Sequence, residues 1–472
     1  METGNTNITP PYSPASGDFS ETTLQNRNTS SPHPVEKADR IQTVDLIRGF
    51  ALLGILLMNI PGFGGADGMM YFKVLNGPHN TKDYLAMEVI FSFFDGTMRG
   101  LFSMIFGAGM ILFTMNKKEI PGGPSVAEYY FRRLLWLVLF GLFNQFVLLW
   151  NGDILFFYGL MGMLLYAFRN SSPKLLWILG FVCIGIGVFK GIGPYNEQRQ
   201  TRLDYVAAKA AEKDKKKLTT EQEAAIAAWE EMEKDNKPDS ARSAERVTEM
   251  RGNYAQVWNQ LLPGSVGYEI SYTYDGLWDM LCMMFIGMAL FKVGFFSNQV
   301  RGSTYLMTML LGYGIGIVFG YYFFTGIVTN FLQIGPYLDA YRVPHNLIYD
   351  FRRLLLCLGH ASLLMLIYRS KVVPWLMKAL ANVGQMAFTN YLVQSIICTL
   401  FFYGYGFGNF YKLSFHQLYY VVFAVWILQL IYSSIWLKYF RFGPFEWVWR
   451  SLTYWKKQPM KIENQKEASS GI

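Results

Sequence analysis

The chain has 472 residues, of which 52% are hydrophobic and 16% charged, with a formal net charge of +8. Its apolar residues come in long blocks, which excludes the alternating pattern of a soluble enzyme domain. The basic residues lie mostly in short segments between these blocks, so they predict membrane orientation and not nucleic acid binding. Cys183, Cys282, Cys357 and Cys398 all fall in apolar blocks without CxxC spacing, which predicts buried thiols and neither disulfides nor a metal site.

Residues 1–39 are rich in Pro, Ser, Thr and Asn, and we predict that they form a disordered cytoplasmic tail. The first apolar block has no small-residue cleavage site, so it is interpreted as a retained helix. Because a hydrocarbon core takes about 20 helical residues, the apolar blocks predict about ten spans. These are 44–63, 98–116, 132–150, 153–168, 174–194, 276–296, 303–327, 346–368, 384–404 and 416–437.

The loops between these spans alternate in basic charge, and the positive-inside rule then places both termini in the cytoplasm, including a second disordered tail at 457–472. The basic loops hold Lys117, Lys118, Arg132, Arg133, Arg169, Lys174, Arg301, Arg369, Lys371, Lys438 and Arg441. Residues 83–97 are predicted as an amphipathic or re-entrant helix, and 374–383 as a short cytoplasmic helix. These two segments leave the span count open by one.

A different composition, rich in Ala, Glu and Lys, separates the two halves of the bundle. The sequence therefore predicts an all-α protein in which 40–194 and 271–456 each carry about five spans, joined by an extracytoplasmic helical hairpin at 195–270. Thr219 and Gln222 fit a capping box, so a helix is expected to start there. Mixed charge favours a solvated decoration, with partner docking or substrate gating as the alternative.

Ionisable residues within spans cost about 2.5–3.5 kcal/mol each on insertion scales, so they should face protein, water or each other. Asp45 and Arg48 are one turn apart and can pair, either as an anchor of the helix end or in a binding role; Asn59 shares the face of Arg48. Asp95 and Arg99 are four apart, just before the small residues at 107–109, for which helix packing is the favoured interpretation.

Further polar residues follow at later spans. Asp153 lies at the outer edge of the fourth span, as an acid at a cavity lip or as the N-cap of a turn. In the ninth span, Asn390 and Gln394 are four apart and predict interhelical amide bonding or a polar cavity wall.

The eighth span carries the most informative charges, because 354–368 alone is too short to cross a bilayer. Arg352 and Arg353 must then be drawn to membrane depth, and His360 follows about two turns later on roughly the same face. A functional role for His360 and a packing role are given equal weight. His345, near the outer mouth, is the next candidate. We expect the intramembrane charges to converge on one hydrated chamber.

Four stretches of the chain resemble a bacterial family, the YeiB-like membrane proteins grouped under domain of unknown function 418. They are DLIRG at 45–49 with MNI at 58–60, LFSMIFGAG at 101–109, WNGDIL at 150–155, and the region from VGQMAFTNY at 383–391 through YGYG at 403–406 to GPFEWVWRSLTY at 443–454. The resemblance covers about 40–456 apart from the soluble hairpin, and it implies a multi-pass protein of the bacterial cytoplasmic (inner) membrane.

The family is in turn similar to transmembrane acyltransferases of the heparan-glucosaminide N-acetyltransferase kind. That similarity implies transfer of an acyl group from cytoplasmic acyl-CoA across the bilayer, a histidine base, and a basic mouth for the CoA phosphates. Two departures are visible: His79 does not align with the histidine that those enzymes carry after the first span, and Asn144 stands where the family commonly has histidine. The residues matched to the basic mouth are Arg48, Arg132, Arg133, Arg441 and Arg450.

The leading hypothesis is transfer of an acyl group from acyl-CoA to an envelope glycan or lipid, with no other cofactor. His360 would act as general base, and Arg352 or Arg353 would stabilise an oxyanion. The rival is a transporter or lipid-handling protein that uses the same charges for cargo or protons, with a flexible glycine-rich seventh span. A third alternative is a non-catalytic assembly protein that docks partners on the hairpin. A homo-oligomer is left open.

Overall fold

A computed structural model describes residues 41–115, 123–215 and 217–462, and within these ranges the chain is helical with no β-strand. The N-terminal helices are α1 (Gln42–Gly64), α2 (Gly68–Leu75), α3 (Lys82–Val89), α4 (Thr97–Met115), α5 (Val126–Phe146), α6 (Leu155–Leu165) and α7 (Pro173–Lys213). The insert and its exit comprise α8 (Thr220–Asp235), α9 (Ser240–Met250) and α10 (Tyr254–Asp275). The rest are α11 (Leu277–Lys292), α12 (Gly302–Leu332), α13 (Ile334–Ala340), α14 (Tyr349–Ser370), α15 (Pro374–Gln385), α16 (Ala387–Phe402), α17 (Phe415–Tyr439) and α18 (Pro444–Tyr454).

The predicted N-terminal tail, the loop lysines Lys117 and Lys118, and residues 463–472 of the C-terminal tail lie outside the described residues. Residues 460–462 do belong to the described part. They return along the end of α17, where the backbone N–H of Arg441 donates to the carbonyl of Met460.

The prediction of a helical membrane bundle is confirmed. Among the described residues, six segments are long and apolar enough to cross a membrane: Gln42–Gly64, Lys82–Met115, Pro173–Lys213, Gly302–Leu332, His345–Ser370 and Phe415–Tyr439. A bent pair, Tyr254–Tyr274 with Leu277–Lys292, would make a seventh. The predicted spans at 153–168 and 384–404 correspond to shorter apolar helices, and α5 falls in neither group, so the count of ten stays a prediction.

The insert grows directly out of a membrane-length helix, because α7 runs unbroken from Pro173 to Lys213 through the boundary expected at 194. As predicted, Thr219 and Gln222 form a capping box at the start of α8. The side chain of Asp239 caps α9 by accepting hydrogen bonds from the backbone N–H groups of Ala241 and Arg242. Farther on, Arg251 donates twice to the carbonyl of Phe410, so this end of the insert is docked on the loop before α17.

Close helix crossings bring the polar segments together. A Cβ added to Gly49 of α1 would lie 2.0 Å from the carbonyl oxygen of Leu380 in α15, and one at Gly384 would lie 1.8 Å from that of Asp45. A Cβ on Gly107 of α4 would likewise meet Met284 of α11 at 2.2 Å. These distances are far below van der Waals contact, so glycine is required for both crossings.

The glycines of α12 also serve packing. Added Cβ atoms would lie 2.6 Å from the carbonyl oxygen of Leu355 at Gly312, and 2.4 Å from that of Ser92 at Gly320. By contrast, Gly314 faces open space. Close packing against neighbouring helices therefore explains Gly312 and Gly320, without the flexibility that the transporter hypothesis assigns to this span.

Candidate functional site

A cavity of about 220 Å³ lies among α1, α4, α5, α6, α18 and the junction of α15 with α16. Most of its wall is aliphatic or aromatic, contributed largely by Phe102, Ile105, Phe106, Met110, Phe113, Leu134, Leu137 and Leu155. Its charged lining consists of Asp45, Arg48, Arg133, Glu446 and Arg450. Three arginines against two acids give a formal charge of +1, so the cavity combines a cationic part with an apolar part.

The arginines approach the cavity from three different helices. Arg48 of α1 pairs with Asp45 one turn earlier, as the sequence predicts. Arg133 of α5 stacks over Trp449 with 3.9 Å between the guanidinium carbon and the ring centroid, and it lies close enough to Arg48 for electrostatic repulsion. Arg450 of α18 stacks over Phe442 at 4.4 Å. Stacking on the Trp449 ring leaves the guanidinium N–H groups of Arg133 able to bind an anion.

Glu446 is a lining residue that the sequence analysis missed. Its carboxylate accepts hydrogen bonds from the backbone N–H of Thr389, at 3.0 Å, and from the Thr389 hydroxyl, at 2.5 Å. These bonds connect the GPFEW and AFTNY stretches. The resemblance of both stretches to the family is the sequence signal that could have pointed to Glu446. Burial raises the pKa of Glu446 above its usual value, although these hydrogen bonds oppose the shift.

Two of the five arginines predicted to hold CoA do not line this cavity. Arg132 points to the other side of α5, where it pairs with Glu128 and packs near the ring of Trp455. The other, Arg441, has an exposed side chain just after α17. Consecutive residues on a helix are about 100° apart, so Arg132 faces away from the cavity that Arg133 lines.

Two tyrosines connect the cavity wall to buried polar groups. The hydroxyl of Tyr158 lies 2.7 Å from that of Ser103 and donates to the carbonyl of Arg99 at 3.1 Å. Tyr391 accepts a hydrogen bond from the backbone N–H of Ile154 at 3.2 Å, and its hydroxyl also reaches the carboxyl of Asp153. Through these hydrogen bonds, both tyrosines link the cavity wall to polar groups in the interior of the bundle.

Asp153 itself is fully buried behind this wall and does not line the cavity. Its carboxylate accepts hydrogen bonds from the Asn144 side chain, at 2.8 Å, and from the backbone N–H of Phe156 at the start of α6, at 3.0 Å. Asp153 therefore accepts from a backbone N–H at the start of α6, as the N-cap interpretation predicts, and it also accepts from the neighbouring Asn144 side chain.

A second group of charges lies elsewhere in the bundle and is neutral as a whole. Arg99 pairs with Asp279 at 2.8 Å, Arg353 with both Asp279 and Asp350, the latter at 2.7 Å, and Arg352 with Asp95 at 3.4 Å. Arg352 also donates to the carbonyls of residues 91, 92 and 95. Three arginines and three aspartates on α4, α11, α14 and the segment before α4 thus cancel.

The structure does not bring all of the predicted charges to the cavity described above. Of Arg48, Arg99, Arg352 and His360, only Arg48 lines the cavity. The reason is that Asp279 and Asp350, which the sequence analysis did not single out, neutralise the arginines directly. Asp95 and Arg99, predicted as a pair, instead take partners on other helices.

The two candidate histidines occupy separate aromatic surroundings. His360 is 6% exposed, contacts the hydroxyl of Tyr313 through Nδ1 at 2.9 Å, and stacks on Phe94 with 5.8 Å between centroids. His345 contacts the hydroxyl of Tyr337 through Nδ1 at 2.8 Å. Neither lines the cavity. A catalytic role for either histidine stays a prediction.

The remaining predicted polar residues hold helices together. Asn390 donates to the hydroxyl of Ser433 at 3.1 Å, and Gln394 donates to Gln429 at 3.0 Å, so α16 and α17 are joined by the predicted amide bonding. Gln429 in turn donates to the carbonyl of Asn390 at 2.8 Å. Asn59 lies half-buried on α1, away from the cavity lining.

The fold and the cavity define a class, namely helical membrane proteins with a partly cationic internal cavity. Residues 290–456 match the family described as "Protein of unknown function (DUF418)". An uncharacterized protein of Escherichia coli, YeiB, is 30% identical over 88% of this chain and 96% of its own length. YxaH of Bacillus subtilis, also uncharacterized, is 28% identical over 91% of this chain and 98% of its own length. The chain belongs to the DUF418 family, and no solved structure matches it.

Proposed function

We propose that the cavity binds acyl-CoA and that the protein transfers the acyl group to an envelope glycan or lipid at the bacterial inner membrane. The observation that carries this proposal is the convergence of Arg48, Arg133 and Arg450 on one mostly apolar cavity. Guanidinium groups suit phosphates because their planar N–H donors match two phosphate oxygens at once. An apolar wall beside them suits an acyl chain.

The proposed chemistry uses Tyr391 and Asp153. An acceptor hydroxyl or amine attacks the thioester carbonyl carbon, and the carbon–sulfur bond breaks. The acceptor proton passes through the Tyr391 hydroxyl to the Asp153 carboxylate and returns through Tyr391 to the departing sulfur, so that CoA leaves as the thiol. Asp153 replaces His360 in this proposal because Tyr391 lies in the cavity wall, whereas His360 does not.

The test is binding and turnover of radiolabelled acyl-CoA by the purified protein in lipid nanodiscs. Arg133→Gln is expected to weaken binding roughly tenfold or more, because a hydrogen bond to a charged group contributes about 1.5–3 kcal/mol. Arg132→Gln is the matched control, with the same chemical change one residue away, and it should bind like wild type. Equal effects of both variants, or no binding by wild type, would contradict the proposal.

The same cavity also supports a second candidate, a lipid-handling protein that takes an anionic phospholipid. Its +1 lining and apolar wall fit a phosphate headgroup with a chain as well as they fit acyl-CoA. The two candidates separate on chemistry: an acyltransferase releases CoA thiol in a Tyr391-dependent reaction. A lipid-handling protein would bind phospholipid, leave acyl-CoA intact, and be indifferent to Tyr391→Phe.

A further inference from the structure

A second polar site lies where α5, α6 and α10 meet. Three of its side chains are nearly inaccessible: Asn144 is 0% exposed, Gln145 is 1% exposed and Glu269 is 9% exposed. Gln145 donates to the carbonyl of Ser265 at 2.9 Å, one turn before Glu269 on α10, so the two helices meet at this level. Glu269 is also close enough to Asp153 for electrostatic repulsion.

The site has more acceptors than donors. Oδ1 of Asn144, Oε1 of Gln145 and both carboxylate oxygens of Glu269 have no hydrogen-bond partner among the described residues. The amide oxygen and nitrogen of each side chain cannot be exchanged. The Asn144 nitrogen donates to a carboxylate and the Gln145 nitrogen donates to a carbonyl, and an amide oxygen could bond to neither of these acceptors. Four buried oxygens therefore need a hydrogen-bond donor or a cation.

We propose that this junction is a binding site for a sodium ion, held by Glu269, Gln145 and Asn144. Oxygen-only ligands favour a hard cation. The negative charge available at the site favours a monovalent ion. Asp153 already accepts two hydrogen bonds, so the carboxylate of Glu269 is the one at this junction that no donor contacts among the described residues. A single proton on Glu269 would pair only two of the four oxygens and would leave the other two without a partner.

The position in the fold supports the same conclusion. Glu269 lies near the end of the first half of the bent pair, where Tyr254–Tyr274 and Leu277–Lys292 meet at 56°. Interrupted membrane helices recur at ion sites, because the break brings polar groups to a depth that an unbroken apolar helix does not offer. The proposal does not depend on acyl transfer, since none of the three ligands lines the cavity.

The experiment measures binding of ²²Na⁺ to the purified full-length protein in nanodiscs at fixed ionic strength, with choline as the replacement cation. Wild type is expected to bind one sodium ion saturably and to gain thermal stability as sodium is added. Glu269→Gln should abolish both effects. Glu245→Gln, which removes an acid from an exposed position of α9, should retain them.

A second variant keeps the test informative if Glu269→Gln folds poorly. Gln145→Met removes one ligand oxygen at similar volume, so it should weaken sodium affinity without abolishing binding. Wild type that binds no ²²Na⁺, or whose stability responds to pH and not to sodium, would overturn the sodium assignment. Such a result would leave the acyl-CoA proposal untouched, because that is tested by Arg133→Gln.

Discussion

The arginines of the bundle interior and those of the cavity differ in what neutralises them. Arg353 is 1% exposed and is held between Asp279 and Asp350, so its charge has partners on two helices. Arg133 is stacked on Trp449 and shares the cavity with another arginine. A fully paired buried arginine has little capacity to bind a ligand, whereas a stacked one at a cavity wall retains it.

Arg353→Met should strongly destabilise the protein, because the partly buried Asp350 loses its cation and Asp279 keeps only Arg99. Breaking a buried ion pair by removing one partner costs about 3–5 kcal/mol. Lys209→Gln is the control, since Lys209 pairs with Glu212, both side chains are exposed, and such surface pairs contribute about 0–1 kcal/mol. Denaturant unfolding in mild detergent measures both, and similar costs would contradict the assignment of a buried network.

The raised pKa of Glu446 predicts that ligand binding depends on pH. Burial raises its pKa, so it takes up a proton at a higher pH than an exposed glutamate would. As the pH falls through that raised pKa, the lining charge changes from +1 to +2 and the affinity for acyl-CoA should rise. Glu446→Gln should remove this component. A wild-type affinity that falls with acidification over the same range would contradict the assignment.

The same shift sets the sign of the stability effect. With a raised pKa, the folded state binds the Glu446 proton more tightly than the unfolded state does. This contribution to stability is therefore largest at low pH and is lost as the pH rises through the folded-state pKa.

At the scale of helices, the crossing of α1 with α15 sets the position of Asp45 and Arg48. Gly49→Ala would place a Cβ 2.0 Å from a backbone oxygen that cannot move independently of its helix. We expect the helices to separate, with lower thermal stability and weaker acyl-CoA binding. Gly314→Ala is the matched control, because nothing lies within 4 Å of its added Cβ. Equal thermal stability of the two variants would show that the crossing is not tight.

The sequence predicted those helices whose signals are local. The capping box of Thr219, the apolar block of α1 and the short helix α15 could be derived because caps, block length and proline positions act within a few residues. The continuation of α7 into the insert is not predicted by the sequence. The apolar block ends at Pro194, but the helix continues through this proline to Lys213.

The site was less predictable because it depends on which helices become neighbours. Arg48 and Arg133 could be singled out as costly charges, but nothing local distinguishes Arg133 from Arg132 until α18 is packed beside α5. Glu446 and Glu269 were missed for the same reason. An acid near a span end looks like a soluble-loop residue until its neighbours exclude water from it.

At the scale of the whole molecule, the orientation in the membrane stays a prediction, and cysteine labelling can test it. The four native cysteines are all buried, so they should give little background. In intact spheroplasts, a membrane-impermeant maleimide is expected to label Ser240→Cys in the insert and to label Lys456→Cys only after permeabilisation. The reverse pattern would place the cavity on the opposite side and exclude cytoplasmic acyl-CoA as its ligand.

The central claim is that the cavity holds an acyl chain beside an arginine-bound phosphate, and photocrosslinking tests it most directly. An acyl-CoA with a diazirine in its chain should form adducts on the α4 and α6 wall, at residues such as Phe102, Phe106 and Tyr158. Free CoA should compete with these adducts. Adducts confined to the lipid-facing side of α12, or adducts that CoA does not reduce, would contradict the account.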